Sequence, residues 1–156
     1  FFVNYLPEEE LARIFKEYGE EPQARRYARI IAEKRKVKRI ETSLELAQII
    51  KDVAGGYSKK HPATKVFQSL RMAVNDEIGA LKEALPKALN ILASSGRLAV
   101  ISFHSGEDRI VKNFFRDWEK AGFGKTLTKK PIIASGEEIA LNPRSRSAKL
   151  RVFEKN

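Results

Sequence analysis

The run Leu98-Ala99-Val100-Ile101-Ser102-Phe103, continued by His104-Ser105-Gly106-Glu107-Asp108-Arg109-Ile110-Val111-Lys112, limits the fold more than any other stretch. A short apolar, β-branched segment that ends in a polar corner and continues as an amphipathic pattern reads as a buried strand feeding a helix. Such units build α/β proteins, in which ligands sit just past the carboxyl ends of the strands. The corner after Phe103 is therefore the first place to look for chemistry. Ser105 and Asp108 have the spacing of a capping box, which predicts Ser105 as the cap of the helix.

Upstream, the first sixty residues show helical periodicity only. Leu11, Ile14, Phe15 and Tyr18 share one face behind an acidic first turn of Glu8, Glu9 and Glu10. Ala24, Tyr27, Ala28 and Ile31 repeat the spacing. Their helix carries Arg25, Arg26 and Arg29 on its other face, then Lys34, Arg35, Lys36, Lys38 and Arg39. Leu46, Ile49, Ile50 and Val53 follow Thr42 or Ser43 as cap, and Gly55-Gly56 closes that helix. Gly55 to Lys60 reads as a connector. A long helix is expected after His61-Pro62, with Val66, Leu70, Ala73, Val74, Ile78 and Leu81 inward and a break at Pro86. Downstream of the corner helix, Lys125–Ile133 reads as a strand. Ser135 and Glu138 cap a short helix, and Lys149–Glu154 alternates as a last strand with Leu150 and Val152 on one face. The expected fold is thus α/β, with about three strands and an all-helical subdomain. A sheet that thin leaves open edges, and dimerisation or a domain swap would cover one.

The formal net charge is +10, which favours polyanions, nucleic acid foremost. The chain has no cysteine, so disulfides and thiolate metal sites are excluded and a reducing compartment is the natural reading. The two histidines lie far apart in sequence, and no metal site is expected. No apolar run approaches the roughly 20 residues of a membrane span. The chain opens Phe1-Phe2-Val3 without methionine, which reads as part of something longer. It contains no glycine-rich phosphate loop of its own.

Four segments carry a family resemblance. They are Tyr5–Leu11, His61–Thr64 with Arg71–Glu77, Gly96–Ser105, and Asn142-Pro143-Arg144-Ser145-Arg146-Ser147-Ala148-Lys149-Leu150-Arg151. In combination and order they resemble the small-subunit ribosomal RNA cytosine-N4-methyltransferase H family, also called MraW-like. The resemblance implies the C-terminal part of a class I, Rossmann-like methyltransferase domain with a helical domain inserted. Residues 1–60 would be the helical substrate-recognition subdomain and residues 61–156 the last α/β part. It implies a cytoplasmic enzyme that uses S-adenosylmethionine to methylate N4 of a cytidine in small-subunit rRNA, with the rRNA or the ribosomal subunit as partner. The family's cofactor loop and ribose-binding acid fall outside this chain, so the chain alone would be inactive. A rival reading is a non-catalytic RNA-binding module derived from the family. The chain also departs from the family at Gly106, where leucine is usual, and a loosened loop is expected there.

Cytosine's exocyclic amine is a poor nucleophile because its lone pair is delocalised into the ring. Methylating it requires acceptors that orient the amine and a surface on which the unstacked base rests. Phe103 could stack, and Ser102 or His104 could hydrogen-bond. Equally, His104 could do no more than satisfy nearby backbone. Asn75 and Asp76 either face the same pocket or lie on a solvated helix face. Arg144, Arg146 and Lys149 could hold backbone phosphates or form a plain basic turn. Arg25, Arg26, Arg29 and Arg109 are further RNA contacts on the same terms.

Overall fold

The computed structural model describes residues 1–55 and 61–156. Past Gly55, the expected connector lies outside the described residues. Contacts divide the chain into two compact units, Phe1–Glu77 and Ile78–Asn156.

The first unit is helical. Its elements are α1 (Phe2–Tyr5), α2 (Glu8–Glu17), α3 (Ala24–Val37), α4 (Ser43–Ala54) and α5 (Thr64–Val74). Leu11, Ile14 and Phe15 of α2 meet Tyr27, Ala28 and Ile31 of α3, with Leu46, Ile50 and Val66 completing the core. These are the apolar stripes that the helical spacing marks out. α4 opens on a full capping box. The Thr42 side chain accepts from the Glu45 N–H, and the Glu45 carboxylate accepts from the backbone of Thr42. That carboxyl is held at about 2, first by the Glu41 N–H, then by Lys38 and the Thr42 N–H. Gly55 ends α4 with φ of 63°, as a terminator glycine should.

The long helix expected after Pro62 breaks at Asn75-Asp76 instead of at Pro86. Asp76 takes a left-handed φ of 48°, a conformation that aspartate tolerates better than most residues. The chain restarts there as α6 (Glu77–Ile91), with Pro86 inside the helix. Val74, expected inward, is exposed at that break.

In the second unit α6 leads to β1 (Arg97–Ser102), then α7 (Ser105–Lys120), β2 (Gly124–Thr126), β3 (Ile132–Ile133), α8 (Gly136–Leu141), a 3₁₀ turn (Pro143–Ser147) and β4 (Lys149–Lys155). The fold is α/β as expected, with four strands among the described residues in place of about three. All the pairing is antiparallel onto β4. β1 runs along one edge of β4, with Ser102 opposite Lys149 and Arg97 opposite Glu154. β2 and β3 share the other edge. The single strand expected over 125–133 splits in two for a local reason. Between the halves, the Thr128 hydroxyl accepts the Val152 N–H at 2.9 Å in place of a backbone carbonyl, and Pro131 brings no N–H.

Leu150 and Val152 do share a face of β4, but the deeply buried face carries Arg151 and Phe153. Phe153 packs with Phe115 and Trp118 of α7, their ring centroids 5.4–5.7 Å apart. Leu85, Leu89 and Val111 complete this core.

Candidate functional site

The corner between β1 and α7 is built by side chains that satisfy backbone. His104 is extended, with φ of −143°, and its Nδ1 accepts the Glu107 N–H at 3.2 Å. His104, and not Ser105, is therefore the cap of α7. The box sits one residue earlier than the sequence spacing indicates, because the chain leaves β1 in extended conformation through His104. Glu107 answers by accepting the Phe103 N–H on Oε2 at 2.9 Å. An Nδ1 that accepts leaves the ring hydrogen on Nε2. That atom is buried, lies 3.2 Å from Glu107 Oε1 and makes no aligned hydrogen bond.

Gly106 fits beneath this ring. A Cβ added there would lie 3.2 Å from His104 Nδ1 and 3.3 Å from Cε1. Gly106 belongs to the first turn of α7 and leaves room for the imidazole.

Asp108, expected to complete the cap, is buried and turned toward β4. Its carboxylate accepts from Arg151 Nε at 2.7 Å and Nη2 at 3.2 Å, and from Lys149 Nζ at 3.5 Å. Burial pushes the Asp108 carboxyl up, but the Arg151 guanidinium and then the Lys149 ammonium outweigh it and hold it below the usual carboxylate range. Helix α7 is thereby pinned to the start of β4.

Of the three residues expected to receive a base, Phe103 alone is exposed, at 55%. Ser102 is buried, and its Oγ donates to the Lys149 carbonyl at 3.4 Å. Lys149 is tied to Asp108. Arg144 and Arg146 are exposed on either side of Ser145, which is buried and donates to the Asn142 carbonyl at 2.8 Å. Neither arginine has an ion-pair partner among the described residues. Their 3₁₀ turn ends at Ser147, just before Lys149, the residue opposite Ser102. The basic turn and the His104 corner therefore emerge at the same end of the sheet. Arg109 is exposed in the first turns of α7.

The remaining candidates belong to the helical unit. Asn75 and Asp76 are exposed at the break before α6, and Asn75 Nδ2 donates to Glu77 Oε1 at 3.3 Å. Arg25, Arg26 and Arg29 are exposed on α3. Arg26 donates to Gln23, and Arg29 lies 3.9 Å from Glu33. Sequence reasoning did not single out Glu107 or Arg151. The first was hidden by two overlapping polar-x-x-acid registers, and the second reads as one more cation of a basic tail.

Residues 2–156 match the model of the MraW methylase family. The chain belongs to that family. It is 55% identical over 98% of its length to "Ribosomal RNA small subunit methyltransferase H" of Coprothermobacter proteolyticus, covering 51% of that protein. The proteins of the same name from Deinococcus deserti and Bdellovibrio bacteriovorus are 53% and 52% identical, with 50% and 47% of their lengths covered. The chain spans about half the length of the curated relatives it matches. The segments Gly96–Ser105 and Asn142–Arg151 lie inside the matched region. Among the described residues, no helix is long and apolar enough to cross a membrane.

Proposed function

We propose that this chain forms the target-base side of an S-adenosylmethionine-dependent methyltransferase that modifies N4 of a cytidine in small-subunit rRNA. The observation that carries the reading is the corner itself: an exposed Phe103 beside a histidine and a glutamate locked to each other and to backbone. A flipped or unpaired base needs a flat apolar surface that does not move, and a pre-bonded corner supplies one without reorganisation.

In this reading Phe103 supports the pyrimidine face. His104 and Glu107 are positioning residues. The imidazole is committed through Nδ1 to the helix cap, and its Nε2 faces Glu107, so neither nitrogen is disposed to take a proton from an amine. Ser102 sets the end of β1 against β4. Arg144 and Arg146 hold phosphates on either side of the target, Arg109 adds a cation in the same unit, and Arg25, Arg26 and Arg29 are RNA contacts of the helical unit taken by itself. Asn75 and Asp76 are proposed as polar contacts to the RNA on the helical unit itself.

In this reading the cofactor is held mainly by residues outside this chain. The helix after β1 starts at a cap made by His104, with no glycine turn before it, and Gly106 is occupied in making room for that ring. The complete protein would supply S-adenosylmethionine as the methyl donor. Calorimetry of S-adenosylmethionine with the complete protein and with residues 1–156 alone tests the division. Binding to the complete protein only is expected. If the complete protein binds RNA but neither the cofactor nor a labelled methyl group is handled, the non-catalytic reading replaces this one.

A further inference from the structure

In the helical unit, α1 is fastened to the segment between α3 and α4 by contacts that leave an aromatic ring in solvent. Asn4 grips Ile40 on both backbone groups: Nδ2 donates to its carbonyl at 2.7 Å, and Oδ1 accepts its N–H at 3.0 Å. Arg35 Nη1 donates to the Val3 carbonyl at 2.9 Å. Between these ties, the Arg39 guanidinium lies over the Tyr5 ring, 5.3 Å from its centroid, and the exposed Phe1 ring stacks on Tyr5 with centroids 4.8 Å apart, so the guanidinium offers the flat outer face. Tyr5 remains 55% exposed. Lys34 and Lys36 are exposed nearby on the last turn of α3, without ion-pair partners among the described residues, whereas Lys38 is taken by Glu45.

We infer that Tyr5 and Arg39 form a stacking site for one unpaired nucleotide of a single-stranded RNA, with Lys34 and Lys36 holding the flanking phosphates. The inference rests on the rRNA reading above and adds a contact remote in sequence from the Phe103 corner. Cations on the last turn of a helix complement its dipole and need no ligand. That accounts for Lys34 and Lys36 but not for Arg39, which follows Lys38 in the extended segment beyond α3. Nor does it account for an exposed ring kept in place by two backbone clamps. A planar guanidinium over a phenol presents a flat, charged surface. Bases stack on such surfaces whatever their sequence, and the polyanionic backbone is drawn to the adjacent lysines.

The test uses the complete protein and a labelled single-stranded RNA oligonucleotide carrying a fluorescent base analogue, with the same sequence as a duplex. Tyr5→Ala is expected to weaken single-strand binding about tenfold and abolish quenching of the analogue, with the salt dependence unchanged. Tyr5→Phe should bind like the parent. Arg39→Gln should weaken binding similarly, and Arg39→Lys should not restore it, because the plane is lost. Lys34→Ala with Lys36→Ala should flatten the salt dependence by roughly one unit of log–log slope per lost contact. Duplex binding should be insensitive to Tyr5→Ala. If that variant is unfolded by melting, the Arg39→Gln and Tyr5→Phe pair decides. Parent-like single-strand affinity in the folded variants overturns the site while leaving the methyltransferase reading intact. Failure of the parent to bind RNA overturns both. Tyr5 protected from hydroxyl-radical labelling before RNA is added would mean that other protein already covers it, and also overturns the site.

Discussion

Removing one side of the Asp108–Arg151 pair should destabilise the protein far more than removing both. Arg151 is 5% exposed and Asp108 9%. Breaking a buried ion pair on one side costs about 3–5 kcal/mol, chiefly because a charge is stranded. Asp108→Leu strands Arg151, and a loss of about 3 kcal/mol is expected. Arg151→Met leaves Asp108 with Lys149 at 3.5 Å, so about 2 kcal/mol is expected. The double variant strands neither member and should lie within about 1 kcal/mol of the parent, far short of the sum. Urea denaturation at neutral pH measures all four proteins. The Asp108 carboxyl is held low in the folded state, so its contribution is full above the unfolded carboxylate's pKa and is lost as pH falls through the lower folded value. The deficit of Asp108→Leu should accordingly shrink in acid. Additive single losses, or a deficit that does not change with pH, would refute the argument.

Three further outcomes are expected. His104→Ala should cost about 1 kcal/mol by denaturation and His104→Asn much less, since asparagine also caps; equal losses would place the cap elsewhere. In a carboxyl NMR titration Glu45 should have its midpoint near pH 2, and its contribution to the α4 cap should be full above the ordinary carboxylate range and be lost as pH falls through that lower value; a midpoint in the ordinary range would show the capping box open in solution. Arg144→Gln with Arg146→Gln should weaken RNA binding and lower the salt slope by roughly one unit per lost phosphate contact, and an unchanged slope would remove both from the interface.

The helical half was legible because each helix there buries one stripe, and a stripe is a direct print of period 3.6 in the sequence. Strand order was less so. Pairing onto β4 depends on which backbone reaches which, and the split at Thr128 is decided by one hydroxyl standing in for a carbonyl. The helix break at Asp76 turns on a single left-handed residue where apolar spacing continues on both sides, while the proline that reads as a breaker is carried inside α6. At the corner the residue types were legible but the register was not. Both Ser105 with Asp108 and His104 with Glu107 satisfy the spacing, and burial of Asp108 against Arg151 selects the second. Arg151 itself was unreadable, because a buried cation differs from a surface one only by the partner that tertiary structure brings to it.

The most direct test is nucleoside mass spectrometry of small-subunit rRNA incubated with S-adenosylmethionine and the complete protein, beside a Phe103→Ala variant shown to melt like the parent. The account predicts N4-methylcytidine with the parent and its loss with the variant. Methylation of another atom, or full N4 methylation without the Phe103 ring, would contradict it.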